Sequence, residues 1–120
     1  MHRFLVIAGA LFFASEALAQ ADGYFGFSQQ VSVNWRLNVE SAVVNYVAPN
    51  SPAQAAGIAV GDAVTDIEGC VVPGCGAYKA KDLMEKKIGE ILNLKLKRPN
   101  GQEYTASIKA TQRPAQEPKP

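Results

Sequence analysis

Cysteine and histidine, the side chains most used for nucleophilic and proton-transfer work near neutral pH, are scarce in this sequence. Cys70 and Cys75 are the two cysteines, in the run Cys-Val-Val-Pro-Gly-Cys. Two thiols so placed could act as a redox couple or as a staple. Their spacing is C-x4-C rather than the C-x2-C of dithiol oxidoreductases, and no histidine stands near to activate a thiol. Pro73-Gly74 is a strong turn pair that can bring the two ends together. A structural disulfide is therefore expected, stabilising by only ~2 kcal/mol for so short a loop. The single histidine is His2, beside the start Met.

The surroundings of His2 decide what it can do. Met1-His2-Arg3 is a short positive start, Phe4 to Ala14 is apolar apart from Gly9, and Ser15 to Ala19 ends in a small-x-small pattern. These are the three regions of a cleavable secretory signal peptide at residues 1–19, with the cut after Ala19. The apolar run of about 11 residues is shorter than the ~20 a spanning helix needs. Cleavage leaves 101 residues from Gln20 and removes every histidine. The remaining chain cannot build a Ser-His-Asp, Cys-His or His-ligated zinc site from its own residues. The expectation is no catalytic residue, no metal, no cofactor and no enzyme. Export implies a periplasmic or secreted location, where paired cysteines oxidise. A net charge of +1 argues against nucleic acid as partner, and no membrane contact is expected after signal cleavage.

The elements that must position any site follow from periodicity. Phe27, Gln29, Val31, Val33 and Trp35 alternate with polar residues, as a strand does. Ala42 to Ala48 reads as a second strand. Ser51-Pro52 opens a short helix that Gly57 stops. Ala63 to Glu68 is a third strand, and Lys79 to Ile88 a second helix with Ala80, Leu83, Met84, Lys87 and Ile88 on one face. Ile91 to Lys97 and Glu103 to Lys109 are two more strands joined by Pro99-Asn100-Gly101. The segment from Arg113 to Pro120 is Pro-rich and charged, so residues 111–120 are expected to be a disordered tail. The fold class is mainly β (α+β), a partly open barrel or sandwich of five to six strands capped by two helices.

Two blocks resemble the PDZ domain, above all the bacterial-type PDZ domains of the high-temperature-requirement serine proteases. The first is Tyr24-Phe25-Gly26-Phe27, similar to that family's carboxylate-binding loop. The second runs from Val44 and Val47 through Asn50-Ser51-Pro52-Ala53, Ala56-Gly57-Ile58 and Gly61-Asp62 to Val64 and Ile67. This longer block resembles the family's strand, Ser-Pro-Ala helix and Gly-Asp turn. The resemblance places a PDZ-like domain at residues 24–110, after a leader at residues 20–23.

The resemblance implies a binding function. Backbone N–H groups of Phe25, Gly26 and Phe27 would hold a peptide's terminal carboxylate. The peptide would add as a strand to the Phe27–Val33 edge, opposite the Lys79–Ile88 helix. Groove residues implied in this way are Gln29, Val31, Lys79, Ala80, Leu83, Met84 and Lys87. Leu83 and Met84, with Phe25 and Phe27, would take the last peptide side chain. Many PDZ domains use a histidine at the helix start to read Ser or Thr two residues before the peptide end. Here Tyr78, Lys79 or Ala80 stands there, which implies an apolar or mildly acidic preference. The implied partner is a C-terminal peptide or extended segment of another exported protein. Alternatives are a trans-acting recognition or regulatory subunit of an envelope protease, and a scaffold of an envelope or secretion complex.

Overall fold

The computed structural model describes residues 22–115. The expected signal peptide and the leader's first two residues, with the last five residues of the expected tail, lie outside the described residues. Six strands form one antiparallel sheet that does not close. They are β1 (Phe27–Val33), β2 (Val39–Val47), β3 (Ala63–Ile67), β4 (Cys70–Val71), β5 (Ile91–Lys97) and β6 (Glu103–Lys109). The order across the sheet is β1-β2-β3-β5-β6, with β4 pairing only with β3. Two short helices accompany it, α1 (Pro52–Ala55) and α2 (Ala77–Met84).

Strict alternation makes β5 the centre of the core. Leu92, Leu94 and Leu96 point inward, while Lys95 and Lys97 face solvent. Each fully buried leucine stabilises by roughly 1.5–3 kcal/mol. Ala106 and Ile108 of β6, Ala42 and Val44 of β2, and Val64 and Ile67 of β3 pack against them. Asp62 is the buried polar knot beside this core, at 1% exposure. Its Oδ2 accepts from Arg98 at 2.6 Å, from the Ala59 N–H at 3.1 Å, and from the Tyr104 hydroxyl. Burial first, and then the Asp62 carboxylate, holds the Tyr104 hydroxyl well above its ordinary pKa. Arg98 also donates to the Gly57 carbonyl at 2.9 Å, so the knot anchors the end of α1.

β2 begins at Val39, three residues before the expected Ala42, and ends at Val47; three further elements differ from the sequence expectation, each for a local reason. β1 stops at Val33 rather than running on to Trp35. Asn34 ends it, its Oδ1 accepting the N–H groups of Arg36 and Asn38, both at 3.0 Å. Side-chain acceptors of this kind offer the backbone an alternative to the ladder. The α2 helix begins two residues earlier than Lys79 and ends four before Ile88. Pairing outside the helix captures the following segment: the Lys86 carbonyl accepts from the Gly23 N–H at 2.7 Å, and Lys87 bridges Asp22. β4 is the third difference. Glu68 and Gly69 both have positive φ (50° and 93°), the geometry of a type I′ hairpin, and so fold Cys70–Val71 back onto β3. Thr111, grouped by sequence with the tail, pairs with Tyr24 (2.7 and 3.0 Å).

Candidate functional site

The loop Tyr24–Phe27 is shaped by what its carbonyls do. The Tyr24 carbonyl accepts from the Thr111 N–H at 3.0 Å, the Phe25 carbonyl from Ala53 at 2.9 Å, and the Gly26 carbonyl from Ala48 at 2.7 Å. In a trans peptide the C=O and the next N–H point in opposite directions. Fixing three consecutive carbonyls therefore turns the N–H groups of Phe25, Gly26 and Phe27 away from those partners. Among the described residues, no acceptor takes the N–H of Phe25 or Gly26. Phe27 faces Val47 across β1 and β2 while Ala48 donates to Gly26. That register makes Phe27 and Val47 a non-hydrogen-bonded pair, so the Phe27 N–H points to the open edge.

Gly26 is required at the bend. Its φ is +85°, and an added Cβ would collide with the Ser51 Cβ. Ser51 is itself buried as the N-cap of α1, donating to the Ala48 carbonyl at 2.7 Å and accepting from the Gln54 N–H at 3.2 Å. The Ser-Pro-Ala helix is thus a brace: its cap fills the space against Gly26, and its first turn pins Phe25. A run of unpaired N–H groups on a fixed loop is an anion-binding nest.

Beside the loop lies the unpaired edge of β1, since β1 is the outermost strand. Between β1 and α2 is a cleft of about 340 Å³. Gln29 and Val31 line it from the strand, with Val39, Ala42 and Ile67 as its floor. From α2 come Ala77, Ala80, Lys81 and Met84, with Glu85 just past the helix end. The walls are mostly apolar. One polar atom stands out: Gln29 Oε1 is buried without a hydrogen-bond partner among the described residues.

The start of α2 is placed by the Cys70–Cys75 disulfide, with a Cα–Cα distance of 5.4 Å. The loop it closes is bonded to β2, and the first helical residue after it to the turn before β2. Val39 donates to the Cys75 carbonyl at 2.7 Å, Gly74 to the Val39 carbonyl at 2.9 Å, and Ala77 to the Leu37 carbonyl at 2.7 Å. Gly76, the N-cap residue, makes no side-chain cap. Backbone bonds from this loop replace the missing cap.

Of the residues expected in the groove, Gln29, Val31, Ala80 and Met84 line the cleft. Leu83 packs on the margin of the core with Phe25 and Phe27. Lys79 is exposed and does not line the cleft, and Lys87 forms an exposed ion pair with Asp22 at 3.0 Å. Ala77, Lys81 and Glu85 were missed. They form an i, i+4, i+8 row that becomes visible once the helix is started at Gly76. Ala77, not Tyr78, Lys79 or Ala80, is the first cleft-lining residue of the helix. No group of three His, Cys, Asp or Glu residues that could hold a metal occurs among the described residues.

A family model for the PDZ domain matches residues 23–110. Solved structures share the fold. One is a photosystem II D1 C-terminal processing protease, with a TM-score of 0.62 and 22% identity over 78% of this chain. Another is an HtrA-type protease solved with a decapeptide, with a TM-score of 0.56 and 21% identity over 82% of this chain. The chain corresponds to only 24% of the first protein and 31% of the second. No curated protein matches it.

Proposed function

The chain belongs to the PDZ domain family, and from that premise we propose that it is an exported, non-catalytic module that binds the C-terminal ends of other exported proteins. The ligand adds as an antiparallel strand to the free edge of β1, between β1 and α2. Its terminal carboxylate is held by the N–H groups of Phe25, Gly26 and Phe27. The carrying observation is that the carbonyls of Tyr24, Phe25 and Gly26 all accept N–H groups from within the chain, which leaves the opposite face of this backbone as donors. Charge-assisted bonds to a carboxylate are about twice as strong as neutral ones. Apolar ligand side chains are received by Phe25, Phe27, Leu83 and the cleft around Met84, whose thioether adapts to several shapes.

The helix start adds a specificity statement. Ala77 offers no hydrogen bond at the position where many PDZ domains carry a histidine, so an apolar residue two before the ligand's end is preferred over Ser or Thr. A C-terminal peptide array in which Ser or Thr dominated there would contradict this.

The direct test is an amide-detected NMR titration. Free-acid peptides with an apolar last residue are expected to shift the amides of Phe25, Gly26 and Phe27. The same peptides with an amidated end are expected to bind at least about tenfold more weakly, the ~1.4 kcal/mol or more of a charge-assisted bond. Equal binding by both forms would remove the carboxylate mechanism.

A further inference from the structure

The far end of the β1 edge, away from the carboxylate loop, carries large apolar side chains that the core does not use. Trp35 is 84% exposed, Tyr78 72% and Leu37 51%. Backbone bonds bring them together. Trp35 and Leu37 share the turn closed by Asn34, while the Ala77 N–H donates to the Leu37 carbonyl and Asn38 bridges Gly76, setting Tyr78 beside that turn. The Arg36 guanidinium sits over the Trp35 ring at 4.8 Å from its centroid. Val31, which lines the cleft, and Val33, the last residue of β1 before this turn, are both half-exposed. Isolated exposed apolar residues need no explanation, but three on neighbouring backbone segments at the end of a proposed binding edge do.

We infer that Trp35, Leu37 and Tyr78 form a second docking point for the same ligand chain, receiving a large apolar or aromatic side chain well upstream of its C-terminus. The inference rests on the peptide-binding reading and extends it from a short terminal motif to a longer segment. Position follows from strand geometry. A ligand whose last residue lies by Phe27 and runs antiparallel to β1 advances about 3.4 Å per residue. The six steps from Phe27 to Val33 span roughly 20 Å, so ligand residues about six to eight before the end reach the cluster.

Charge separates this occupant from a lipid surface. Near the cluster, the exposed cations Arg36, Lys79 and Lys81 stand with the exposed carboxylates Glu40 and Asp82. A net excess of one cation falls short of the roughly four to eight Lys/Arg that draw an anionic bilayer. Three side chains at the end of a groove also fall well short of the roughly 1,200–2,000 Å² a stable dimer buries.

Trp35 is the only tryptophan of the chain and therefore reports on its own contact. The test compares a pentapeptide with a decapeptide ending in the same five residues and carrying Phe about seven before the end. The decapeptide is expected to bind about tenfold tighter, as a centrally docked aromatic does, and to shift Trp35 emission to the blue. The pentapeptide is expected to leave that emission unchanged. Trp35→Ser with Tyr78→Ser, both at exposed positions, is expected to reduce decapeptide affinity to that of the pentapeptide and leave pentapeptide affinity intact. Equal affinity of the two peptides for the wild-type chain would overturn the inference while leaving C-terminal binding standing; binding of neither would remove both. A blue shift produced by phosphatidylglycerol vesicles but not by the decapeptide would overturn it in favour of a membrane. A concentration-dependent dimer abolished by the double substitution would assign the cluster to a second copy instead.

Discussion

Gln29 sits on the cleft-lining side of β1 with its Oε1 buried and unpaired among the described residues. An orphaned acceptor costs about 1–3 kcal/mol relative to a satisfied one. Gln29→Leu is therefore expected to leave the urea midpoint of the free domain unchanged or raised. The same change is expected to weaken peptide binding, because an incoming donor loses its acceptor. A fall in the midpoint without peptide would show that the side chain is satisfied in the free state. Glu68 makes a second residue-scale case. The Asn93 N–H, at 2.9 Å, lowers its pKa from the ordinary 4.5, helped by Lys86 at 3.1 Å. A carboxyl with a depressed folded-state pKa contributes stability that is present above its unfolded pKa and lost as pH falls through the folded value. Acidification from pH 6 to below 4.5 should thus erode stability more in the wild type than in Glu68→Gln, as urea unfolding at the two pH values would show.

At the scale of elements, the short α2 helix depends on its surroundings. Eight residues with no side-chain cap do not hold a helix by propensity alone. The disulfide loop compensates through its bonds to Val39, and the Ala77 N–H of the helix itself is taken by the Leu37 carbonyl. Replacing both Cys70 and Cys75 by Ser should lower stability by about 2 kcal/mol on the chain-entropy model. It should also weaken peptide binding, since Ala77 and Ala80 would no longer be held at a fixed distance from β1. Thermal melts and peptide titration of the double variant check both parts. The sequence periodicity of the helix was legible, because Ala80, Leu83 and Met84 do face inward. Its ends were not. Lys86 and Lys87 have good helix propensity, yet their backbone pairs with Asp22 and Gly23, residues more than sixty positions away that no local pattern reveals.

For the whole molecule, the open sheet has two consequences. Its core is one contiguous cluster centred on Leu92, Leu94 and Leu96, so Leu94→Ala should cost about 2–5 kcal/mol in chemical denaturation. Its free β1 edge makes ligand binding a source of stability. Peptide at one hundred times its Kd should add about 2.7 kcal/mol to unfolding, measurable as a raised melting temperature. The amino-acid sequence by itself determined the strands with clean alternation, the Ser51 cap, the Gly26 bend and the resemblance that located the carboxylate loop, because each is encoded in residues close together in the chain. Tertiary structure alone decided which faces remain uncovered. The outward turn of the Phe25–Phe27 amides follows from Ala48 and Ala53 at the β2–α1 junction and from Thr111 near the other end of the chain, two segments distant in sequence from the loop. The cleft row of Ala77, Lys81 and Glu85 follows from where the disulfide loop starts the helix. The exposure of Trp35 follows from a turn that interrupts an otherwise regular pattern. Alternation tells which residues share a side of a strand; only packing tells whether anything covers that side.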